Sequence, residues 1–294
     1  MNVDFSLVFL FKVGSIGLNF AALAALSNTM STHDFGLFAT MFSAGMLISL
    51  PAMLGLNFSI VRYTSEASQP EINRIALART ALFTLAKLLV CMFAVAVGVT
   101  MIAVWISLDR GTALAGLATL SLGLSYGFSE VLQCAARSFD GSYKAFVFRE
   151  IVWRSSFFGI VVANVLLPAP LSATQVIFVA TVFLIATIGL QFATSTLRAP
   201  QAPEVRATAK KELGGLWKTA PGFMLVSGLS TSSQYLIIVL AALVLTAEST
   251  AQFFTSFKTV QILSLSALAV NFVLTPRLRN LRNDEGSIDT GLIS

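Results

Sequence analysis

Eight long stretches of the sequence are almost continuously apolar. A bilayer core of about 30 Å needs roughly 20 apolar residues in one helix, and a window of that length predicts helices at about 5–27, 36–61, 81–107, 113–134, 150–167, 174–197, 217–245 and 252–275. The fifth is expected to begin earlier, near Phe146. Only 11% of the residues are charged, against about 25% in soluble domains. Because backbone groups in lipid must be paired within the chain, we expect an all-α integral membrane protein with eight transmembrane helices.

Basic residues are concentrated on one side of these predicted spans. Fifteen of the 19 lysines and arginines fall in alternate loops or at the helix ends beside them, and the opposite loops hold only Arg110. The positive-inside rule places the basic loops in the cytoplasm, so both termini are predicted to be cytoplasmic. This orientation accounts for the net charge of +5, and no nucleic acid is expected as a partner.

A few ionisable side chains interrupt the apolar runs. Lys12, Lys87, Lys258 and Glu130 lie within predicted spans, where charges are costly and usually face a cavity or a partner. Lys12 and Lys258 are candidates for a polar cleft, with snorkelling to an interface as the alternative; snorkelling is the preferred interpretation for Lys87. Glu130 is predicted to pair with Lys87 or Arg137, or to take part in proton coupling.

Two predicted helices carry further polar or helix-breaking residues. Ser227, Thr231 and Gln234 fall at i, i+4 and i+7 of the seventh helix and share one face, which suits either a sugar path or close helix packing. In the second helix Pro51 removes one backbone hydrogen bond and predicts a kink. Together with Gly55 it is a candidate hinge, and a fixed kink is the alternative.

Several short sequence features together match the pattern of a known family. They are Asp34-Phe35-Gly36, Gly55-Leu56 and Arg62-Tyr63 around the second helix, the basic link 137–154, Pro221 in the run 216–245, and Lys258 with Pro276-Arg277 in the last run. This pattern resembles the polysaccharide flippase family, in the superfamily that also contains multidrug and toxin extruders and the lipid II flippase. The resemblance covers almost the whole chain.

The family is built from two six-helix lobes. Setting Phe38 against Phe254, a shift of 216 residues, brings Arg62 within a residue of Arg277, and repeats of this kind are common in transporters. The resemblance implies a six-helix lobe at 1–198, a cytoplasmic linker at 199–216, the first two helices of a second lobe at 217–276 and a cytoplasmic tail at 277–294. Full members have twelve or more helices, so we expect a C-terminally truncated product or one piece of a split protein, whose activity by itself is in question.

The resemblance also implies a function. Members move lipid-linked oligosaccharide and polysaccharide precursors, such as those of lipopolysaccharide O-antigen and exopolysaccharide, across the bacterial inner membrane by alternating access. The expected ligand is a polyprenyl-pyrophosphate-linked oligosaccharide, and the expected partners are the polysaccharide polymerase and ligase machinery. Lys12 and Lys258 lie on helices that line the cleft in the family, where a lysine offers a compact charge to phosphate. Arg62 and Arg149, at cytoplasmic helix ends, are expected either to anchor the helices or to capture the pyrophosphate first.

Other classes of protein fit the sequence less well. One histidine and two separated cysteines do not make the usual His/Cys metal site, paired aspartates are missing from the apolar runs, and there is no phosphate-binding G-x-x-x-x-G-K-[ST] loop. We therefore predict no catalytic residue, metal or cofactor. A small drug/metabolite carrier, which would repeat at half its length, and a non-transporting membrane fragment remain the alternatives.

Overall fold

All secondary structure is helical within the part of the chain that the computed structural model describes, residues 3–65, 70–106, 109–168, 170–199 and 202–261. The helices are α1 (Val3–Thr29), α2 (Thr32–Met53), α3 (Leu56–Ser65), α4 (Glu71–Ile106), α5 (Arg110–Phe139), α6 (Ser142–Phe146), α7 (Arg154–Leu166), α8 (Ala173–Thr194) and α9 (Pro203–Val244). A π-helical segment, Val147–Trp153, joins α6 to α7, a 3₁₀ turn, Thr196–Arg198, follows α8, and residues 247–261 are helical. The predicted all-α class is confirmed.

Four helical segments of the described chain are long and apolar enough to cross a bilayer. They are Leu10–Thr29, Thr32–Met53, Glu71–Ile106 and Ala173–Thr194, and they coincide with the first, second, third and sixth predicted spans. Large apolar side chains such as Trp105, Leu166 and Val244 point outward, as lipid-facing side chains would. The other four predicted spans are also helical where the structure describes them, and residues 262–275 of the eighth lie outside the described residues.

Side-chain caps define where several helices begin. The hydroxyl oxygen of Ser31 accepts a hydrogen bond from the Asp34 N–H at 3.0 Å, at the start of α2. Asp109 does the same for α5 through the Thr112 N–H, also at 3.0 Å. At α8 a reciprocal capping box links Ser172 and Gln175. Each cap satisfies backbone donors that the first helical turn leaves unpaired.

The second predicted helix is broken instead of kinked. After Pro51 the chain leaves the helix at Leu54, whose φ is 51°, and at Gly55, whose φ is 72°. The Leu54 N–H turns back to the Pro51 carbonyl at 3.0 Å, which ends α2 before α3 begins. A β-carbon at Gly55 would overlap the carbonyl oxygen of Ala220 in α9, so this break lies directly against α9.

Two predicted boundaries also differ from the structure. The fifth predicted helix, expected from residue 150 or near Phe146, begins at Ser142 and runs through the π segment to Leu166. The segment 199–216, expected to be a linker, is helical from Pro203 and forms the first part of α9. Both extensions contain charged residues, which a search for apolar runs excludes.

The helices pack around α2 and α5. These two lie close together because small residues meet, with Gly123 and Gly127 of α5 against the α2 backbone at Gly45 and Ser49, as is usual between membrane helices. α1 packs on the continuous helix formed by α6, the π segment and α7, and α9 packs on α2, α3 and α4. Residues 1–251 form one compact unit, and residues from 252 onward belong to a second unit.

Candidate functional site

A group of charged side chains is enclosed within the first compact unit. We call it the Glu150 cluster: Lys12 and Ser15 of α1, Glu130 of α5, and Arg149, Glu150 and Arg154 around the π segment. Glu150 is 1% exposed and Arg149 is 6% exposed. Charged residues are almost never this deeply buried unless they are paired, so the contacts within the cluster are what make its burial possible.

The carboxylate of Glu150 is the centre of the cluster, and each of its oxygens accepts two hydrogen bonds. Oε1 accepts from Lys12 Nζ at 2.8 Å and from Arg149 Nη2 at 3.1 Å. Oε2 accepts from the Ser15 hydroxyl at 2.9 Å and from Arg154 Nε at 3.2 Å. Charge-assisted hydrogen bonds of this kind are roughly twice as strong as neutral ones. The carboxylate is therefore well satisfied, and it holds α1 to the π segment.

Arg149 extends the cluster to α5. Its Nη1 forms an ion pair with Glu130 Oε2, and its guanidinium lies 5.4 Å from the centre of the Tyr126 ring. The prediction that Glu130 pairs with Lys87 or Arg137 is wrong. The physical reason is that the π segment carries Arg149 into the bundle, where it reaches Glu130, whereas Lys87 and Arg137 are exposed.

Aromatic rings form the wall of the cluster. Lys12 Nζ lies 4.9 Å from the centre of the Phe146 ring, and Tyr126 meets Trp153 edge to face at 5.7 Å. The Trp153 indole N–H donates to the Ala180 carbonyl at 3.1 Å, which ties the π segment to α8. The cluster therefore joins several helices of the unit.

Formal charges in the cluster do not cancel. Three cationic side chains face two carboxylates, so one positive charge is in excess when all five are ionised. The side chains of Lys12 and Arg154 are 35% and 18% exposed, whereas that of Glu150 is 2% exposed. The accessible part of the cluster is therefore cationic, and Lys12 and Arg154 keep N–H donors that make no hydrogen bond to the described residues. It can accept an anionic group such as a phosphate.

The structure brings three of the predicted site residues together: Lys12, Glu130 and Arg149. Arg149 does not lie at a helix end, where the sequence predicted it, because it is buried within a continuous helix. Arg62, in contrast, is exposed in the last turn of α3. Lys87 is exposed on α4.

The remaining predicted residues lie elsewhere. Gln234 is half-buried in α9, and the side chains of Ser227 and Thr231 lie outside the described residues. In the second unit, Lys258 donates to Gln261 Oε1 at 3.0 Å and lies 5.6 Å from the centre of the Phe254 ring. Pro51 lies in the last turn of α2, and Gly55 lies in the break between α2 and α3.

The sequence search missed the central residue, Glu150, together with Ser15 and the structural role of Arg154. Glu150 was hidden in a basic stretch that resembled a cytoplasmic loop. One signal was present: Glu150 and Arg154 are four residues apart, the spacing of an ion pair on one helical face. The bonds to Lys12 and Ser15 cross 138 and 135 residues, and no local pattern indicates them.

A second polar feature lies at two similar helical turns. Thr246 follows Ser31 by 215 residues, and its hydroxyl caps the next helix by accepting from the Ser249 N–H at 3.3 Å, as Ser31 does for Asp34. His33 Nδ1 is 3.1 Å from Glu248 Oε1, also 215 residues later. Hydrogen bonds from its own backbone N–H and from His33 lower the pKa of the Glu248 carboxyl.

Comparison with known proteins finds no match: no family model, curated protein or solved structure is significantly similar to this chain.

Proposed function

We propose that this chain is a membrane transporter of the flippase type that moves lipid-linked oligosaccharide precursors across the bacterial inner membrane by alternating access. In this proposal eight transmembrane helices form one complete six-helix lobe and the first two helices of a second lobe, with both termini in the cytoplasm. The ligand is a polyprenyl-pyrophosphate-linked oligosaccharide, handled together with polysaccharide polymerase and ligase machinery.

The single observation that carries the proposal is the Glu150 cluster. Buried ions between apolar helices are expensive and usually mark a path for a polar substrate. This cluster has a surplus cation and keeps its accessible donors on Lys12 and Arg154. A pyrophosphate needs such donors when it leaves water, while a polyprenyl tail can remain in lipid. The resemblance to the polysaccharide flippases points to the same class of ligand.

The two turns capped by Ser31 and Thr246 support the two-lobe arrangement. Their offset of 215 residues differs by one from the shift of 216 that aligns the two apolar runs. At the offset of 215 residues Glu248 is the equivalent of His33, and the two side chains are in contact. A contact between equivalent positions is expected where a two-fold axis relates two repeats.

The break between α2 and α3 supports a moving part. Hinges are a few residues at the ends of helices or strands that absorb changes in φ and ψ. Leu54 and Gly55 lie between two helices and have left-handed backbone angles. We propose that Pro51 and Gly55 form a hinge that changes the contact between α3 and α9. Crosslinking engineered cysteines across α3 and α9 should then block transport without reducing ligand binding.

A reconstitution experiment tests the proposed function. The 294-residue chain is placed in liposomes containing a fluorescent polyprenyl-pyrophosphate oligosaccharide, and both ligand binding and movement between leaflets are measured. Arg154→Gln should lower ligand affinity about ten- to one-hundredfold, because it removes a charge-assisted hydrogen bond from an accessible site. The matched change Arg137→Gln, at an exposed position outside the cluster, should have little effect.

Three results distinguish the alternatives. Binding and movement that both depend on Arg154 support the flippase. Binding without movement assigns the chain to a non-transporting fragment. A folded protein that neither binds the lipid-linked sugar nor distinguishes Arg154→Gln from Arg137→Gln contradicts the proposal and favours another small carrier. Elution in size-exclusion chromatography checks that each variant is folded.

A further inference from the structure

A cavity of about 450 Å³ lies between α4 and the first part of α9. Arg79 and Lys87 line it from α4, and Arg206 and Lys210 line it from α9. We call this site the basic cavity. No acidic residue is among its lining residues.

The cations of the basic cavity have little compensation. Lys87, Arg206 and Lys210 are exposed, and they make no ion pair within the part of the chain that the structure describes. Arg206 and Lys210 are four residues apart on one face of α9, where like charges repel. By helical period, Glu204 lies on the opposite side of α9 from Arg206. An arrangement of this kind favours an anionic ligand.

Arg79 differs from the other three cations, because contacts with neighbouring residues fix the orientation of its side chain. Its Nη1 donates to the Ala199 carbonyl, and its guanidinium lies 5.5 Å from the centre of the Phe83 ring. Phe83 in turn meets Phe192 of α8 edge to face at 5.8 Å. These contacts fix one cation of the cavity at the point where the lining becomes apolar.

A stripe of side chains along α4, on the C-terminal side of Arg79, leads into a second cavity. Phe83, Ala86, Val90 and Phe93 follow at alternating intervals of three and four residues, so they share one face of the helix. Ala86, Val90 and Phe93 line an apolar cavity of about 310 Å³ that α5 and α8 complete. From Arg79 to Phe93 the helix rises about 21 Å, which matches one bilayer leaflet with its head groups, roughly 20–22 Å.

We propose that the basic cavity and the apolar cavity together bind one anionic phospholipid. Its head-group phosphate lies among Arg79, Lys87, Arg206 and Lys210, and an acyl chain follows the stripe of α4 toward the apolar cavity. Charge complementarity selects an anionic lipid, and the leaflet-length stripe selects a ligand with a hydrocarbon chain over a soluble phosphate. This site is separate from the Glu150 cluster, and it does not depend on the proposed transport function.

Native mass spectrometry of the detergent-purified chain tests the site. The protein is titrated with dioleoyl phosphatidylglycerol, tetraoleoyl cardiolipin and dioleoyl phosphatidylcholine. We expect one retained anionic lipid and weaker binding of phosphatidylcholine. Lys210→Gln should lower the affinity for the anionic lipid about fivefold, because each basic residue near a lipid surface contributes about fivefold to the affinity. The double variant, Arg206→Gln combined with Lys210→Gln, should therefore lower it about twenty-fivefold. The control is Lys211→Gln, the same change one residue away and off the cavity face, which should leave the affinity within about twofold.

The apolar part is tested separately. Ala86→Trp, which fills the second cavity, should weaken binding of the dioleoyl lipid but not of a short-chain phosphatidylglycerol. Equal losses for Lys210→Gln and Lys211→Gln, or equal binding of phosphatidylcholine, would overturn the proposal. So would competition by inorganic pyrophosphate at the concentrations at which the lipid binds. Displacement of the phospholipid by trace polyprenyl pyrophosphate would instead assign the cavity to that ligand and also contradict the proposal.

Discussion

The Glu150 cluster and the basic cavity hold similar numbers of cationic side chains in opposite surroundings. In the cluster, Lys12, Arg149 and Arg154 all contact the carboxylate of Glu150. In the basic cavity, no carboxylate lines the site. Burial explains the difference: ions withdrawn from water need partners, whereas exposed lysines and arginines keep their hydration. Unpaired cations are therefore tolerated only at the surface, and there they are available to a ligand.

The largest effect is expected when the cluster loses its central acid. Glu150→Gln removes the carboxylate that the three cations share and leaves Arg149 only its pair with Glu130. Breaking a buried ion pair on one side costs about 3–5 kcal/mol. We expect a loss of unfolding free energy of that size, measured by equilibrium unfolding in mixed micelles. The control Glu204→Gln, at an exposed residue in the first turn of α9, should cost less than about 1 kcal/mol. Equal effects of the two changes would show that burial does not govern the cluster.

A smaller effect is expected for the neutral member of the cluster. Ser15 is 1% exposed and donates to Glu150 Oε2 at 2.9 Å, and a hydrogen bond to a charged group is worth about 1.5–3 kcal/mol. Ser15→Ala should lower the unfolding free energy by that amount. Ser27→Ala is the matched change in the same helix, because each hydroxyl reaches the carbonyl three residues earlier, at Lys12 or Ala24. Within the described residues, only the Ser15 hydroxyl of the two also reaches a carboxylate. If the two variants unfold alike, the bond to Glu150 contributes nothing measurable.

In the basic cavity, replacing a charged side chain by glutamine should raise the unfolding free energy instead of lowering it. Arg206 repels Lys210 and lies near the positively polarised start of α9. In detergent free of anionic lipid, Arg206→Gln should raise the unfolding free energy by about 0.2–0.5 kcal/mol. Added phosphatidylglycerol should stabilise the wild type more than this variant. A destabilised Arg206→Gln would mean that the arginine has a structural partner, contrary to the comparison.

The smallest effect belongs to the contact between His33 and Glu248, whose side chains are both exposed. The folded pKa of Glu248 is lowered, so its contribution to stability is present above the unfolded value of about 4.3 and is lost as pH falls through the lower folded value. The difference in melting temperature between wild type and Glu248→Gln should be small near neutral pH and should vanish in acid. A difference that grows on acidification would reverse this sign and contradict the assignment.

Much of the fold was predictable from apolar runs. The all-α class is confirmed, and the four segments able to span a bilayer coincide with four of the predicted helices. The break after Pro51 was predicted only as a kink, because the sequence does not show that α9 packs against Gly55. The early starts of the fifth helix and of α9 were missed for a different reason: their first turns contain exposed charges, such as Lys144 and Glu204, which interrupt the apolar runs.

The candidate site was predictable only in part. Lys12, Glu130 and Arg149 stood out because each is an ionisable residue in or beside an apolar run. Glu150 did not, since its importance comes from partners distant in the sequence. The same holds for His33 and Glu248, which meet across 215 residues.

The order of apolar and basic segments by itself determined that this chain forms helices suited to a bilayer, because backbone pairing and the removal of apolar side chains from water act through local composition. Only the tertiary structure decided which charges are neutralised and which stay available. Ion pairing falls off over a few ångströms, so it depends on which helices become neighbours. The same order of segments along the chain is compatible with many sets of neighbouring helices, and packing selects one of them.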